Sequence, residues 1–403
     1  MKLELPKNVE RFGAVCFGSL QKVFELDSGI ENGFKPEQSR IIQRIQYQKL
    51  HEIFKEMAII VPVRGERLKL IEGVLCGIPH PCLIIMVSNS DLEPVDRFKM
   101  EQDMLHDFCT FTGKVAIIVH QKDPAIAKAF RNAGYRKILD KTHKIRDGKA
   151  EGMIIGTVLA KLTGKKYIGF VDSDNYFPGA VEEYIREYAA GFVLGSSPYT
   201  MVRIAWHSKP KIVESKLFFR KWGRASTNTN LFLNRLISHY TGFETEIIKT
   251  GNSGEHAMTM KLAMNIDYSS GFSIEPYQII NLLERYGGIL ESPVPKIMKD
   301  KVQVFQIESR NPHLHESGDQ EHIDLMSSLA MQVIYQSQIC PEAIKKDLQR
   351  LMSARGYIKP KKKLEKPRYL PALSSIDLKA FLKTIADTPY GKLTKRVKNK
   401  KRS

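Results

Sequence analysis

The residues best suited to chemistry are two aspartates, Asp172 and Asp174, which directly follow the apolar run 167–171. A buried strand that ends in two carboxylates presents hard oxygen ligands at a sheet edge, and Mg²⁺ and Mn²⁺ prefer such ligands. The other coordination positions of such a cation can bind a diphosphate and neutralise its charge as it departs. Isolated acidic triplets such as this one, Asp172-Ser173-Asp174, are common. Here the predicted strand 167–171 before the triplet and the segment 175–179 after the triplet favour a metal site.

Two other segments contain residue types that bind anions or sugars. Residues 250–256 place two glycines and small polar side chains before a predicted helix, which suits phosphate or carboxylate oxygens, while Glu255 could instead contact a sugar. An ordinary capped loop explains this composition about equally well. Residues 221–228 join Arg224 to hydroxyl groups and a glycine, which suits a planar or tetrahedral anion. A surface ion pair is an equally good interpretation there.

His313 and His315 are candidates for a further protein ligand of the cation. On an extended segment, a spacing of two sends both rings to one side, so one imidazole could bind a cation opposite the two aspartates. Solvated loop histidines are the commoner alternative. The residues themselves leave open which of the two binds metal.

The elements that must position these residues are recognisable in the first half of the chain. Residues 57–63, 82–87 and 115–119 are apolar runs of strand length, and each ends in polar residues, as 167–171 does. Continuously apolar strands that alternate with amphipathic helices predict a mostly parallel sheet with helices on both faces. Ligands collect at the carboxyl ends of such strands. The sequence therefore predicts an α/β, Rossmann-like fold with one site across four strand ends.

The second half of the chain is less regular. Its patterns predict strands at 192–195 and 201–206, and helices at 231–237, 257–263 and 321–338. We expect these elements to form a smaller, mixed region after the parallel half.

Length and composition are those of an ordinary globular protein. The chain has 403 residues, of which 42% are hydrophobic, and no apolar stretch is long enough to span a membrane. The first residues lack the features of a secretion signal, so we expect a cytoplasmic protein without membrane contacts. The five cysteines show no C-x-x-C spacing, which argues against a disulfide framework or a zinc site and favours buried thiols.

The positive charge is concentrated at the C-terminal end. Residues 355–403 contain sixteen lysines and arginines against three acidic residues, and so carry +13 of the formal net charge of +18. This region has no base-reading motif and few aromatic residues for stacking. We therefore expect a basic, solvated and partly disordered tail. Nucleic-acid binding by the tail is the less favoured alternative.

Seven segments together resemble the mannosyl-3-phosphoglycerate synthase family, which are retaining glycosyltransferases of the GT-A fold. The resemblance runs from about residue 59 to residue 338 and is carried by residues 61–67, 87–91, 120–124, 148–153, 171–176, 198–203 and 251–256. It implies transfer of mannose from GDP-mannose to 3-phosphoglycerate with retention of configuration, in a pathway to the compatible solute mannosylglycerate. It also implies a divalent cofactor, Mg²⁺ or Mn²⁺.

The resemblance assigns roles to individual positions. It implies that the nucleotide donor is bound by Pro62, Val63, Arg64, Gly65, Glu66, Ser88, Asn89, Gln121, Lys122, Lys149, Asp172 and Ser173. Similarity to the related glucosyl-3-phosphoglycerate synthases implies that the acceptor is bound by Gly223, Arg224, Ala225, Ser226, Thr227, Asn252 and His315. The implied metal ligands are Asp172, Asp174 and His313, with His315 as the alternative histidine. The implied catalytic residues are Asp172, Asp174 and Glu255.

We expect the chain to be divided into four regions. They are an N-terminal extension (1–50), a nucleotide-sugar-binding half (51–215), an acceptor-binding half with the histidine loop (216–350) and the basic tail (351–403). Two alternatives are a transferase like the glucosyl-3-phosphoglycerate synthases and a sugar-1-phosphate nucleotidyltransferase. The latter normally has a glycine-rich signature loop near its N-terminus, which is not found here. A homodimer is left open.

Overall fold

A computed structural model of the chain describes residues 1–26, 41–213, 216–220, 224–314, 320–358 and 367–400. The strands in these ranges are β1 (Lys2–Glu4), β2 (Val9–Phe12), β3 (Val15–Gly18), β4 (Gln21–Glu25), β5 (Ile42–Arg44), β6 (Met57–Val63), β7 (Leu83–Ser88), β8 (Ala116–His120), β9 (Tyr167–Phe170), β10 (Thr200–Ala205), β11 (Lys209–Val213), β12 (Lys216–Arg220), β13 (His256–Thr259), β14 (Tyr268–Ser269), β15 (Val302–Glu308) and β16 (Tyr369–Leu370). The helices are α1 (Tyr47–Lys55), α2 (Leu68–Gly77), α3 (Arg97–Thr112), α4 (Pro124–Asn132), α5 (Lys149–Leu162), α6 (Pro178–Leu194), α7 (Arg224–Thr241), α8 (Met260–Ala263), α9 (Ile274–Tyr286), α10 (Pro295–Asp300), α11 (Gln320–Tyr335), α12 (Glu342–Ala354), α13 (Leu378–Thr384) and α14 (Pro389–Lys400).

One large sheet organises the molecule, with the strand order β5-β1-β4-β15-β10-β13-β9-β6-β7-β8. β9, β6, β7 and β8 run parallel to one another, and β10 runs parallel to β15, while β13 lies antiparallel between β9 and β10. The N-terminal strands β3 and β4 pair with β15, so the first residues extend the same sheet. The predicted α/β fold with a mostly parallel sheet is confirmed.

Hydrophobic packing covers both faces of the sheet. Successive residues of a strand point to opposite faces, and Ile59 and Ile60 of β6 accordingly belong to different core clusters. Ile60 packs in the cluster that contains Ile154 of α5, whereas Ile59 packs in the cluster that contains Ile185 of α6. Both faces are apolar, which explains why these strands have uninterrupted hydrophobic sequences.

Of the predicted elements in the second half, the strand at 192–195 is wrong, and the helix at 257–263 is confirmed only for residues 260–263, which form α8. Residues 192–194, predicted as part of a strand, are the last turn of α6, because a short apolar run has no periodicity that separates a strand from a buried helix. Residues 257–259, predicted as helical, belong to β13, because pairing with β9 and β10 outweighs their local helix preference. The predicted strand at 201–206 and the helices at 231–237 and 321–338 are confirmed by β10, α7 and α11.

Residues 367–400, which were expected to belong to a partly disordered tail, are folded in the structure. β16 pairs with β14, and α13 packs on α4 through Phe381, whose ring lies 4.9 Å from that of Phe130. Tyr135 Oη donates to Pro371 O at 2.5 Å. The apolar residues of this region are spaced so that they pack on the core. The prediction of a disordered tail was based on the number of lysines and did not take this spacing into account. Residues 359–366 and 401–403 lie outside the described ranges.

No helix in the described parts of the chain combines the length and apolar character needed to cross a bilayer. The described cysteines are unpaired; two of them, Cys82 and Cys340, are buried as expected, whereas Cys76 is exposed. The boundaries of the four regions and the homodimer stay predictions.

Candidate active site

The sheet brings distant segments of the chain to one edge. β6, β7, β8 and β9 run in the same direction, so the residues that follow them, including Arg64, Asn89, Gln121 and Asp172, lie along the same edge. β13 runs the opposite way, so Glu255, which precedes it, lies at this edge as well. The predicted convergence of the four strand ends is therefore present in the structure.

β10 and β15 add two further segments to this edge. Trp206 directly follows β10, and the loop after β15 leads to His313. His313 N donates to Ser208 O at 2.9 Å, and Tyr176 N donates to Leu314 O at 2.9 Å. The first bond joins the loop of His313 to the segment after β10, and the second joins it to the loop that follows Asp174, so the predicted metal ligands come from neighbouring loops.

Lys149 lies between two carboxylates. Its Nζ is 2.6 Å from Asp172 Oδ1 and 2.9 Å from Glu275 Oε1. Burial disfavours the ammonium charge, but the two carboxylates outweigh this effect and raise the pKa of Lys149, so the side chain stays cationic. The first residue of α5 thus fixes a positive charge beside the first aspartate of the triplet.

Gly254 packs directly against this ion pair. A Cβ added at Gly254 would lie 2.7 Å from Asp172 Oδ2 and 3.5 Å from Lys149 Nζ. The first distance is shorter than real Cβ contacts, so a side chain at this position would displace the carboxylate. The glycine is therefore required for the close approach of the loop to Asp172.

Asp174 is a half-buried carboxylate in a negative environment. Burial and the nearby carboxylates of Asp172 and Glu255 raise the pKa of Asp174 to about 7, and Lys149 only partly offsets them. Ser173, between the two aspartates, is buried. The carboxylates repel each other, and a bound cation would relieve this repulsion.

Glu255 is held by two donors and is fully buried. Asn175 Nδ2 donates to Oε1 at 3.0 Å, and Trp206 Nε1 donates to Oε2 at 2.8 Å. Asn175 Nδ2 also donates to the backbone oxygen of Asp172 at 2.9 Å. Both carboxylate oxygens are thus fixed in place, and Asn175 couples Glu255 to the acidic triplet.

His313 is buried between aromatic side chains. Its ring stacks on Trp206 with a centroid distance of 4.3 Å and an interplanar angle of 19°. Its Nδ1 lies 3.3 Å from Tyr184 Oη. In the tautomer with a proton on Nδ1, that nitrogen donates to the tyrosine oxygen, which fixes the orientation of the ring. His315 lies outside the described residues.

Helix α6 holds the loop that leads to His313. Glu183 Oε1 accepts from Arg310 N at 2.6 Å, and Glu183 Oε2 accepts from Asn311 N at 2.9 Å and Asn311 Nδ2 at 2.6 Å. The carboxylate is buried, so these hydrogen bonds replace its hydration. The orientation of this loop is therefore determined by α6.

Segment 250–255 is fastened by Arg203, a fully buried side chain of β10. Arg203 Nε donates to Thr250 O at 3.0 Å, Nη2 to Glu275 O at 3.2 Å, and Nη1 to Gln278 Oε1 at 2.8 Å. Burial lowers the pKa of Arg203 to about 10, so it remains charged at neutral pH. The segment precedes strand β13 and not a helix, so the predicted helix N-terminus at this position is wrong.

The predicted donor residues occupy the ends of β6, β7 and β8. Pro62 and Val63 end β6, and the loop 64–66 that follows is closed by a hydrogen bond of 2.6 Å from Arg64 N to Glu66 Oε2. Gln121 N donates to the backbone oxygen of Ser88 at 2.6 Å, which joins the ends of β7 and β8. Gln121 Nε2 also donates to Gly148 O at 3.2 Å, directly before Lys149.

Some of the predicted acceptor residues lie at the start of helix α7. Gly223 lies outside the described residues, as do the side chains of Arg224 and Ala225 at the start of α7; Ser226 is buried and Thr227 exposed. Gly251 N donates to Asn230 Oδ1 at 2.8 Å, which connects α7 to the segment that contains Asn252. Asn252 Oδ1 is buried and has no hydrogen-bond partner among the described residues, so it is available to a ligand hydroxyl.

The residues present suit a divalent cation by their chemistry. The described residues form no group of three or more histidine, cysteine, aspartate or glutamate side chains placed to hold an ion alone. Mg²⁺ normally keeps several waters and binds one or two carboxylates together with substrate phosphates. Asp174, with its raised pKa, and His313 on the neighbouring loop fit such a partial ligand set.

Sequence patterns do not identify several residues that hold the site together. Glu275, Asn175, Trp206, Tyr184 and Glu183 were not predicted. Asn175 follows one predicted strand and Trp206 is the last residue of another, so strand-end position could have identified them. Glu275, Tyr184 and Glu183 lie within helices and reach the site only through the tertiary arrangement.

Comparison with known proteins gives consistent results along the chain. The family model for mannosyl-3-phosphoglycerate synthase (osmo_MPGsynth) matches residues 5–385. The mannosyl-3-phosphoglycerate synthase of Pyrococcus furiosus is 45% identical over 386 residues, which cover 96% of this chain and 97% of that protein. The corresponding protein of Aeropyrum pernix is 37% identical over 346 residues, which cover 86% of this chain and 88% of that protein.

Solved structures of lower similarity were also found. The glucosyl-3-phosphoglycerate synthase of Mycobacterium tuberculosis in complex with phosphoglyceric acid is 15% identical, with a TM-score of 0.47 and coverage of 73% of this chain and 85% of that one. The assignment to a family depends on the curated relatives and the family model, and not on this structure.

Proposed function

Because the chain belongs to the mannosyl-3-phosphoglycerate synthase family, we propose that it transfers mannose from GDP-mannose to 3-phosphoglycerate with retention of configuration. The observation that carries the proposal is the near-full-length similarity to curated members of that family. The convergence of the strand-end residues on one edge supports it, because nucleotides bind at the carboxyl ends of parallel strands.

The donor would lie along the ends of β9, β6, β7 and β8. The diphosphate would be near Asp174 and Lys149, whose fixed ammonium adds positive charge at the leaving group. Asp174 and one histidine, His313 or the alternative His315, would hold Mg²⁺ or Mn²⁺ together with Asp172. Such a cation supplies charge that stabilises the β-phosphate as the bond to mannose breaks.

The acceptor would bind between α7 and segment 250–255. Ser226 and Thr227 lie in the first turn of α7, whose backbone N–H groups favour a phosphate. Together with Gly223, Arg224, Ala225 and His315, they would place the glycerate 2-hydroxyl beside the mannosyl carbon. Asn252 would accept a hydrogen bond from a substrate hydroxyl through its buried Oδ1.

Retention of configuration is explained by attack from the face of the leaving group. Double displacement, the other route to retention, needs a carboxylate nucleophile next to the anomeric carbon. Glu255 is a poor candidate, because Asn175 and Trp206 hold both of its oxygens. We assign Glu255 to the orientation of the donor sugar and the acidic triplet, and the proton of the attacking hydroxyl passes to a leaving phosphate oxygen.

Product analysis tests the proposal. The purified chain is incubated with 3-phosphoglycerate and either GDP-mannose or UDP-glucose, with and without Mg²⁺, and the product is identified by NMR. The expected result is α-mannosyl-3-phosphoglycerate from GDP-mannose in the presence of metal. A glucosyl product alone would instead assign the chain the activity of the glucosyl enzymes, and release of pyrophosphate from GTP would indicate a nucleotidyltransferase.

A further inference from the structure

The carboxylate of Asp147 lies beside residues that follow β7 and β8. Asp147 Oδ1 is 2.9 Å from Lys122 Nζ, and Asn89 Nδ2 donates to the same oxygen at 3.3 Å. Lys122 Nζ also donates to Ile145 O at 2.6 Å. The carboxylate and the ammonium are therefore held side by side. The Asp147 side chain is 67% exposed, so a ligand can reach it.

The position of this pair in the sheet fits the base of a nucleotide. The strand order β9-β6-β7-β8 places β7 and β8 two and three strands from β9, which corresponds to about 10–14 Å at the usual strand spacing. Base and diphosphate occupy opposite ends of a nucleotide. A diphosphate beside Asp174 thus leaves the base near Asn89, Lys122 and Asp147.

Guanine presents a pattern of donors and acceptors that matches the pair. Its Watson–Crick edge offers two adjacent donors, the N1 and N2 hydrogens, next to the O6 acceptor. A carboxylate accepts from both donors, and an ammonium donates to O6. Uracil offers a single N–H between two carbonyl oxygens, so a carboxylate at the same position would face a carbonyl oxygen. The hydrogen bond from Lys122 holds the pKa of Asp147 below its ordinary value, so the carboxylate is ionised at neutral pH.

We propose that Asp147 and Lys122 select guanine in the nucleotide donor. The Asp147 carboxylate accepts from N1–H and the N2 amine, and the Lys122 ammonium donates to O6. No hydrogen bond within the described part of the chain involves Asp147 Oδ2, which is available to the base. The inference rests on the proposed function, since it needs a guanine nucleotide as donor.

Inosine diphosphate isolates the contact, because hypoxanthine keeps N1–H and O6 but lacks the N2 amine. Calorimetry on the full chain with Mg²⁺ measures the affinities of GDP, IDP and UDP. A hydrogen bond to a charged group corresponds to roughly tenfold or more in affinity, so the wild type is expected to bind GDP about tenfold more tightly than IDP. In Asp147→Ala this ratio is expected to fall to about twofold or less, since no carboxylate remains to select the amine.

Two further variants separate recognition from folding. Asp147→Asn keeps the size and one acceptor oxygen, so it is expected to retain part of the preference for GDP over IDP. Asp107→Asn removes an exposed carboxylate from α3 and is expected to bind like the wild type. If Asp147→Ala weakens GDP and IDP by the same factor, the carboxylate only orders Lys122 and Asn89, and the inference is overturned. Tighter binding of UDP than of GDP by the wild type would contradict the proposed donor itself.

Discussion

At Gly254 the backbone passes close to the ion pair of Asp172 and Lys149. A Cβ at this position would meet the Asp172 carboxylate that pairs with Lys149, and Arg203 holds the same segment through its hydrogen bond to Thr250 O. The position of Asp172 thus depends on the ammonium of Lys149, on the absence of a side chain at Gly254, and on Arg203 of β10, two strands from β9 in the sheet. The exact placement of a charged group is what catalysis by electrostatic stabilisation depends on.

Gly254→Ala is expected to reduce kcat/KM by about a hundredfold, because displacement of a catalytic group by about an ångström has costs of this order. The added methyl would meet Asp172 Oδ2 at 2.7 Å. The matched control is Gly179→Ala in α6, where an added Cβ has no heavy atom within 4 Å. Steady-state kinetics with both substrates measures the effect. Equal rates for the two variants would show that the contact with Asp172 is not needed for turnover.

Asp174→Ala is expected to lower kcat by roughly a thousandfold, since charge stabilisation by a bound cation is worth several kcal/mol. Chelation of divalent cations by EDTA should abolish turnover of the wild type, and added Mg²⁺ or Mn²⁺ should restore it. Asp103→Ala, which removes an exposed ion pair with Lys99 on α3, serves as the control with near-normal rates. An Asp174→Ala enzyme within tenfold of the wild type would exclude the carboxylate from the metal site.

At the scale of the elements, local patterns were sufficient for some features and insufficient for others. β6, β7 and β9 were predicted well because both faces of these strands are buried and their residues are continuously apolar. β13 was not, because its insertion between β9 and β10 depends on pairing between residues far apart in the sequence. The same insertion brings Glu255 beside Asn175 and Trp206. The acidic triplet could therefore be predicted, and most of its partners could not.

Helix α6 contains a buried acid that should make stability depend on pH. Burial, reinforced by Glu183, raises the pKa of Glu187 well above its ordinary value of 4.5. As pH rises above about 4.5, the unfolded chain releases this proton while the folded chain keeps it. The free energy of unfolding of the wild type therefore falls, relative to Glu187→Gln, by roughly 1.4 kcal/mol per pH unit.

Urea unfolding of the wild type and Glu187→Gln between pH 5 and pH 7 measures this difference. The control is Glu182→Gln on the same helix, where the carboxylate is 48% exposed and pairs with Arg186. Its difference from the wild type should change little over the same range. A pH-independent difference for Glu187→Gln would mean that Glu187 is ionised in the folded protein.

At the scale of the whole molecule, both ends of the chain complete the fold of the central sheet. β3 and β4 extend the sheet beside β15, and α13 covers α4. Net charge describes the solubility and partners of a region but not whether it folds. A strongly basic region with regularly placed apolar residues can therefore pack on the core and keep its lysines in solvent.

Phe381→Ala tests this role of the C-terminal residues. The ring is fully buried and lies edge-on to Phe130 at 4.9 Å and 77°. Removal of a buried phenylalanine costs about 3–5 kcal/mol, so a loss of this size in the free energy of unfolding is expected. The control is Lys379→Ala, an exposed position of the same helix, which should change stability by no more than about 0.5 kcal/mol. Denaturant unfolding measures both variants. If Phe381→Ala is as mild as the control, residues 367–400 contribute little to the fold, and the basic region behaves as the solvated tail that its charge suggests.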